Sequence, residues 1–131
     1  MTTFPELGPA TPFFIVRDVG VSLEFYRDRL GFEARYQAPD DAPFFAIVGR
    51  DATQIMLKAI AAEVEPLPNP ERHAWATWDA FVHVEDPDAL AAEFAERGTT
   101  LRRPPGDTDD GLRGFEVADP DGYVYFFGRP R

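Results

Sequence analysis

Residues 22–32 read SLEFYRDRLGF and residues 119–127 read DPDGYVYFF. In the first stretch Leu23, Phe25, Tyr26 and Leu30, with Val21 just before them, cluster on one broad helical face. Gly31 follows as the expected left-handed stop. The second stretch opens on Asp119-Pro120-Asp121-Gly122, a strong turn signal, and continues into an aromatic and β-branched run that reads as a strand.

Working outward, residues 12–18 (PFFIVRD) read as a buried strand ahead of the helix. A short strand near residues 32–36 and a polar turn, APDDAP, come after it. Two further strands, 44–50 (FFAIVGR) and 53–60 (TQIMLKAI), are joined by a turn around Arg50 and Asp51. The same order then recurs. Residues 80–86 (AFVHVED) read as a strand. PDALAAEFAERG reads as a helix with Pro87 in its first turn and Gly98 as its stop. A short strand at residues 100–102 and a loop, RPPGDTDDG, lead to a closing pair, LRGFEVAD and GYVYFFG.

Val16-Arg17-Asp18 matches Val84-Glu85-Asp86, and Phe45, Ile47 and Asp51 match Phe115, Val117 and Asp121. The chain therefore reads as a single domain, 1–131, holding two βαβββ units at 11–60 and 77–131. Residues 61–76, rich in proline and without a period, read as the linker. A unit alone covers one sheet face with its helix, and the other face needs a partner. The expected fold class is α+β, with tandem βαβββ units forming a curved mixed sheet around a concave pocket.

The 131 residues are 44% hydrophobic and include twelve Phe, which excludes a disordered chain. There is no cysteine, so neither a disulfide framework nor a thiolate metal site is available. The N-terminal MTTFPELGPATP lacks the pattern of a secretory signal, and no run is long and apolar enough for a membrane span, so a cytoplasmic protein is expected. A net charge of −10 disfavours nucleic acid and anionic membranes and favours cationic partners, or serves solubility alone.

The tandem units, with SLEFYRDRLGF early and DPDGYVYFF late, resemble the vicinal oxygen chelate superfamily over most of the chain. That superfamily includes glyoxalase I, extradiol dioxygenases and the bleomycin-resistance proteins. The resemblance implies one divalent metal held by His, Glu or Gln at four positions, two per unit. Carried onto this sequence, those positions are Thr11, Met56, Asp79 and Phe126. Phe has no donor, Met a soft sulfur and Thr a weak hydroxyl, so Asp79 is the one good ligand. His83 lies about 13 Å along the strand from Asp79, too far to share an ion with it. A site from His73, His83 and Glu116 has no spacing signature. The resemblance is therefore closest to the metal-free, bleomycin-resistance-like branch, with no metal, no cofactor and no catalytic residue expected.

Strand alternation sorts the walls. The pocket side carries Phe13 and Ile15 with Thr11, Phe81 and His83 with Asp79, Gln54 and Lys58 with Met56, and Val124 and Gly128 with Phe126. The opposite faces, Phe14 and Val16, Ala80 and Val82, Ile55 and Leu57, Tyr125 and Phe127, are uniformly apolar and should pack on the helices. Candidate ligand contacts are Phe13, Gln54, Met56, Lys58, Trp78, Asp79, Phe81, His83 and Phe126, aromatic walls with a few polar groups. Each has a plainer reading: the phenylalanines as core, Met56 as filler, Asp79 as a solvated carboxylate, His83 as a structural histidine. Lys58 would then neutralise Asp79 or Glu116. Trp75 and Trp78 stack a flat ligand or cover the linker. The acidic run Asp107 to Asp110 reads as a mobile loop or a cation-gathering lid.

The expected function is metal-independent binding of a small aromatic, cationic molecule, as in bleomycin-type sequestration, by a homodimer whose grooves use both subunits. A metal-dependent lyase or dioxygenase with unusual ligands is the first alternative. A non-catalytic interaction module, its pocket filled by Phe13, Phe81 and Phe126, is the second.

Overall fold

The computed structural model describes residues 3–131. Helix α1 (Val19–Leu30) begins where the Asp18 carboxylate accepts the Val21 N–H at 3.2 Å, and stops at Gly31, whose φ of 71° lets its N–H reach the Tyr26 carbonyl. Its inward stripe is Val19, Ser22, Tyr26 and Leu30. This corrects the broader expected face: Val21 lies on the outer side, 49% exposed.

Strands β1 (Phe13–Ile15), β2 (Glu33–Ala38), β3 (Phe45–Arg50) and β4 (Thr53–Lys58) form one sheet in the order β1-β4-β3-β2. β1 runs parallel to β4, and the other pairs are antiparallel. After the linker and its short helix α2 (Asn69–Arg72), the plan repeats. β5 (Ala80–His83), helix α3 (Pro87–Glu96), β6 (Arg103–Asp107), β7 (Leu112–Ala118) and β8 (Val124–Pro130) follow. The second sheet has the order β5-β8-β7-β6, again with the first and last strands of the unit parallel. The two four-stranded mixed sheets with their helices are the expected α+β architecture.

Three expectations need correction. The strand placed at residues 100–102 forms instead at Arg103–Asp107, through two prolines expected in a loop. β6 is an edge strand with a register shift between Arg103 and Gly106, so the missing proline N–H groups break no central ladder. The acidic run is a hydrogen-bonded hairpin: Thr108 N–H donates to the Leu112 carbonyl at 2.8 Å, and Asp107 faces Arg113 and Arg131. The third correction concerns the match between units. Ile47 pairs with Met56 and Glu116 with Phe126, so the structural counterpart of Phe115 is Ala46, not Phe45. A shift of one residue exchanges the two faces of a strand. Phe115 accordingly packs on the helix side, fully buried, whereas Phe45 is half-buried on the other face.

The helix-facing sets lie as alternation predicts. Val16, Ile55, Leu57, Ala80, Tyr125 and Phe127 are buried, and Phe14 and Val82 pack against them in one core shared by both units. Polar contacts close the seam. The Tyr26 hydroxyl donates to Asp119 Oδ2 at 2.8 Å and lies 2.5 Å from the Tyr125 hydroxyl. Asp119 Oδ1 accepts the backbone N–H groups of Asp121 and Tyr123, so its carboxyl organises the DPDG turn. Burial pushes the Asp119 carboxyl up to about 6, against the pull of the hydrogen bonds from Tyr26 and the turn. Phe14 stacks on Tyr123 at 4.2 Å, and the Tyr123 hydroxyl donates to the Ile15 carbonyl. On the far side Arg50 grips Glu93 with two bonds of 2.8 Å and donates to the last carbonyl of α1, that of Leu30. Arg50 and Arg97 together hold the Glu93 carboxyl down to about 2.

A cleft between two strand edges

β1 pairs only with β4, and β5 only with β8, so each unit presents the free edge of its first strand, besides the edges at β2 and β6. Between the two first-strand edges lies an open cleft of about 630 Å³. The extended segment 9–12 forms one rim and the β3–β4 turn at Ala52 and Thr53 another. Of the sequence candidates, the cleft brings together Phe13, Gln54, Asp79, Phe81 and His83, and it adds Thr11. Met56 and Lys58 sit further along β4, in register with Phe13 and Ile15, outside this cleft.

Trp78 and Phe126 also stand outside the lining and build a shelf behind it. The Trp78 ring lies 4.9 Å from Phe126 and 6.0 Å from Phe81, and Phe81 stacks on Phe126 at 5.5 Å. Phe126 is 0% exposed while Phe81 is 40% and Phe13 51% exposed. Phe126 can sit so deep because its ring rests over two glycines. A Cβ on Gly114 would come within 2.6 Å of that ring, and Gly128 is equally crowded. The expected collapse of Phe13, Phe81 and Phe126 into one filled pocket is thus only half realised: Phe126 is core, and the other two rings present open faces.

Asp79 takes a structural position. One carboxylate oxygen accepts the Asn69 N–H at 2.7 Å and the other the Val124 N–H at 2.8 Å. It pins the start of α2, in the middle of the linker, and the start of β8 to the head of β5. Neither acid turns to Lys58, because Glu116 is buried against Arg102 and within 4.0 Å of Arg103. The aromatic part of the expected recognition therefore has a surface, while the cationic part loses Asp79 as its free carboxylate. His83 Nε2 lies 2.9 Å from Glu85 at the mouth, and that contact lowers the Glu85 carboxyl.

The metal implied by the resemblance does not fit these residues. Phe126 offers no donor and is sealed in its stack, and both Asp79 oxygens already accept N–H groups. Among the described residues no three His, Asp or Glu side chains converge on one point.

Sequence reasoning missed the 9–12 segment, the β3–β4 turn as a rim, and the Arg102–Glu116 pair beside Phe126. The first carried a signal in its two prolines. The second depends on how the units are placed against each other, and the third on the register of β6 against β7 within the second unit. Among the described residues no helix is long and apolar enough to cross a membrane.

Paired βαβββ units whose free edges flank an aromatic cleft define a class of small α+β proteins built around a shared concave site. Residues 8–125 match the Glyoxalase/Bleomycin resistance protein/Dioxygenase superfamily, and the chain belongs to it. Among solved structures, the bleomycin-binding protein from bleomycin-producing Streptomyces verticillus, complexed with copper(II)-bleomycin, is 28% identical. The match covers 100% of both chains at a TM-score of 0.68. A superfamily member from Sphaerobacter thermophilus is 25% identical over 95% of this chain and 97% of that one, with a TM-score of 0.65. A glyoxalase-related enzyme from Clostridium phytofermentans shares the fold at a TM-score of 0.74 and 17% identity, covering 97% of this chain and 98% of that one. Among curated proteins none matches the chain.

Proposed function

We propose that this protein binds and sequesters a small, flat aromatic molecule without a metal, in the manner suggested by its likeness to the Streptomyces verticillus bleomycin-binding protein. The observation that carries this reading is the aromatic shelf. The open faces of Phe81 and Phe13 stand at a cleft of about 630 Å³, backed by Trp78 and Phe126. That volume lies in the usual range for small-molecule sites, and stacked rings hold a flat ligand with few rotatable groups to order. The net charge of −10 raises the local concentration of cations at the mouth, so a cationic ligand is gathered by the whole surface and not by Asp79.

In the same reading the protein is a cytoplasmic homodimer. Phe13, Tyr36 and Phe44 stay half exposed in one copy, and a second copy laid over these apolar surfaces deepens the cleft. Lyase or dioxygenase chemistry of this superfamily's kind needs a set of metal donors, and no such set of three His, Asp or Glu converges among the described residues of one copy.

The test is a titration with copper(II)-bleomycin and with proflavine, a flat cation, followed by tryptophan emission. Saturable quenching that disappears in Trp78→Phe, with Trp75 left in place, is expected. No saturable binding of either compound removes the reading. Elemental analysis of protein purified without chelator supplies a second check: well under a tenth of an equivalent of any divalent metal is expected. Near one equivalent that survives dialysis would put the enzyme reading first.

A further inference from the structure

Beside the cleft lies a second, smaller cavity of about 210 Å³ at the seam between the two units, open to solvent on one side past Asp51 and Ala52. Its walls come from both: Phe32 from the first, and Val82, Leu90, Phe94 and Phe127 from the second. The main cleft and this cavity share Ala52, Thr53, Val82 and His83, so the two spaces meet beneath the β3–β4 turn and beside the edge of β5. We propose that the seam cavity is a binding compartment for a neutral apolar group of about the size of a benzene ring, and that ligands of the cleft carry such a group as an arm.

The size argument comes from volume: an apolar cavity of about 150 Å³ is enough to hold benzene. The charge argument comes from the rim. The Arg50 guanidinium is already committed to both Glu93 oxygens and to the Leu30 carbonyl, and His83 is turned to Glu85. A charged arm entering the cavity would lose water and find at most the Asp51 carboxylate, which stands exposed at the rim where solvent screens it. A neutral apolar arm would lose only water and gain contact with the part-exposed Val82, Val84 and Leu90, laid over the buried rings of Phe32, Phe94 and Phe127. The Arg50–Glu93 grip also holds the roof at a fixed height over α3, which favours a preformed compartment over one opened by the ligand.

The idea that cleft ligands carry the arm rests on the function proposed above; the compartment itself does not. The experiment uses the whole protein with methyl-labelled Val and Leu, titrated with toluene alone. Saturable shifts are expected at the methyl groups of Val82, Val84 and Leu90, with a dissociation constant of about 1 mM. The methyl groups of Val64 and Leu67, far along the linker, should stay still. Leu90→Phe fills the cavity and should abolish the shifts. Thr53→Leu, which narrows the passage from the cleft, serves if the first variant fails to fold. Shifts that are absent, that appear equally at Val64, or that survive in the filled variant would overturn the compartment. Quenching of Trp78 by proflavine reads the main cleft separately. Loss of that signal with toluene shifts intact would sink the functional reading alone.

Discussion

Asp79, expected from the resemblance at a metal-ligand position, serves as a brace in the structure. Both oxygens accept backbone N–H groups from segments far apart in sequence, those of Asn69 and Val124. Removing the carboxylate leaves two partly buried donors without partners. We expect Asp79→Ala to lower the unfolding free energy by about 2–4 kcal/mol, and Asp79→Asn, which keeps one acceptor oxygen, by about half of that. Urea unfolding of the three proteins checks this. A neutral Asp79→Ala would mean that water replaces the carboxylate without cost and that the residue is free for another task.

At the scale of elements, β7 and β8 are shaped by what glycine leaves out. Gly114 and Gly128 make the floor on which Phe126 lies, and Phe126 in turn holds the rings of Phe81 and Trp78. Gly114→Ala should push on both the Phe127 carbonyl and that ring, cost about 3 kcal/mol through overpacking, and shift Trp78 emission to longer wavelength as its cover loosens. Stability loss without a change in emission would separate the glycine from the shelf. The same elements show what could be read from the sequence. The helix of residues 19–30 was legible from its spacing and its Gly31 stop, and the alternation in β4, β5 and β8 sorted their faces correctly. β6 was not legible, since Pro104 and Pro105 read as loop until the structure shows that the strand is an edge. The depth of Phe126 was also hidden. Alternation placed it on the site side but could not show that a glycine on the neighbouring strand and another two residues on in its own let it sink. The cleft itself depends on how two free edges approach, which no local pattern encodes.

For the whole molecule, the seam decides how stability responds to pH. Asp119 joins the closing turn of the second unit to Tyr26 of the first, and its carboxyl is raised from 3.8 to about 6, chiefly by burial. A carboxyl raised in the folded state favours folding in its protonated form. Its contribution is full below pH 3.8 and is lost as pH rises through 6. Glu93, held down to about 2 by Arg50 and Arg97, acts in the opposite sense: its contribution is present above pH 4.5 and fades as pH falls toward 2. The variant Asp119→Asn isolates the first effect, because Glu93 is common to both proteins. Relative to wild type, the variant should gain about 3 kcal/mol of stability between pH 3 and pH 7. A difference that stays flat across that range would be the contrary result. The seam also explains why one core, not two, holds the chain: Tyr26, Phe14 and Arg50 all find their partners in the other half.

The offset between the halves has a consequence for anyone who would exchange them. Met56 and Phe126 are 70 positions apart, whereas their strand neighbours Ile47 and Glu116 are 69 apart. A hybrid gene spliced by a constant count of 70 would seat Phe45 where Phe115 belongs. Every side chain of the transplanted strand would then point the wrong way, with the Phe45 ring forced toward the helix and the small Ala46 turned to the opposite face. A splice made by face, at 69, would preserve both. Duplicate modules of this kind are alike as architecture but no longer interchangeable as text.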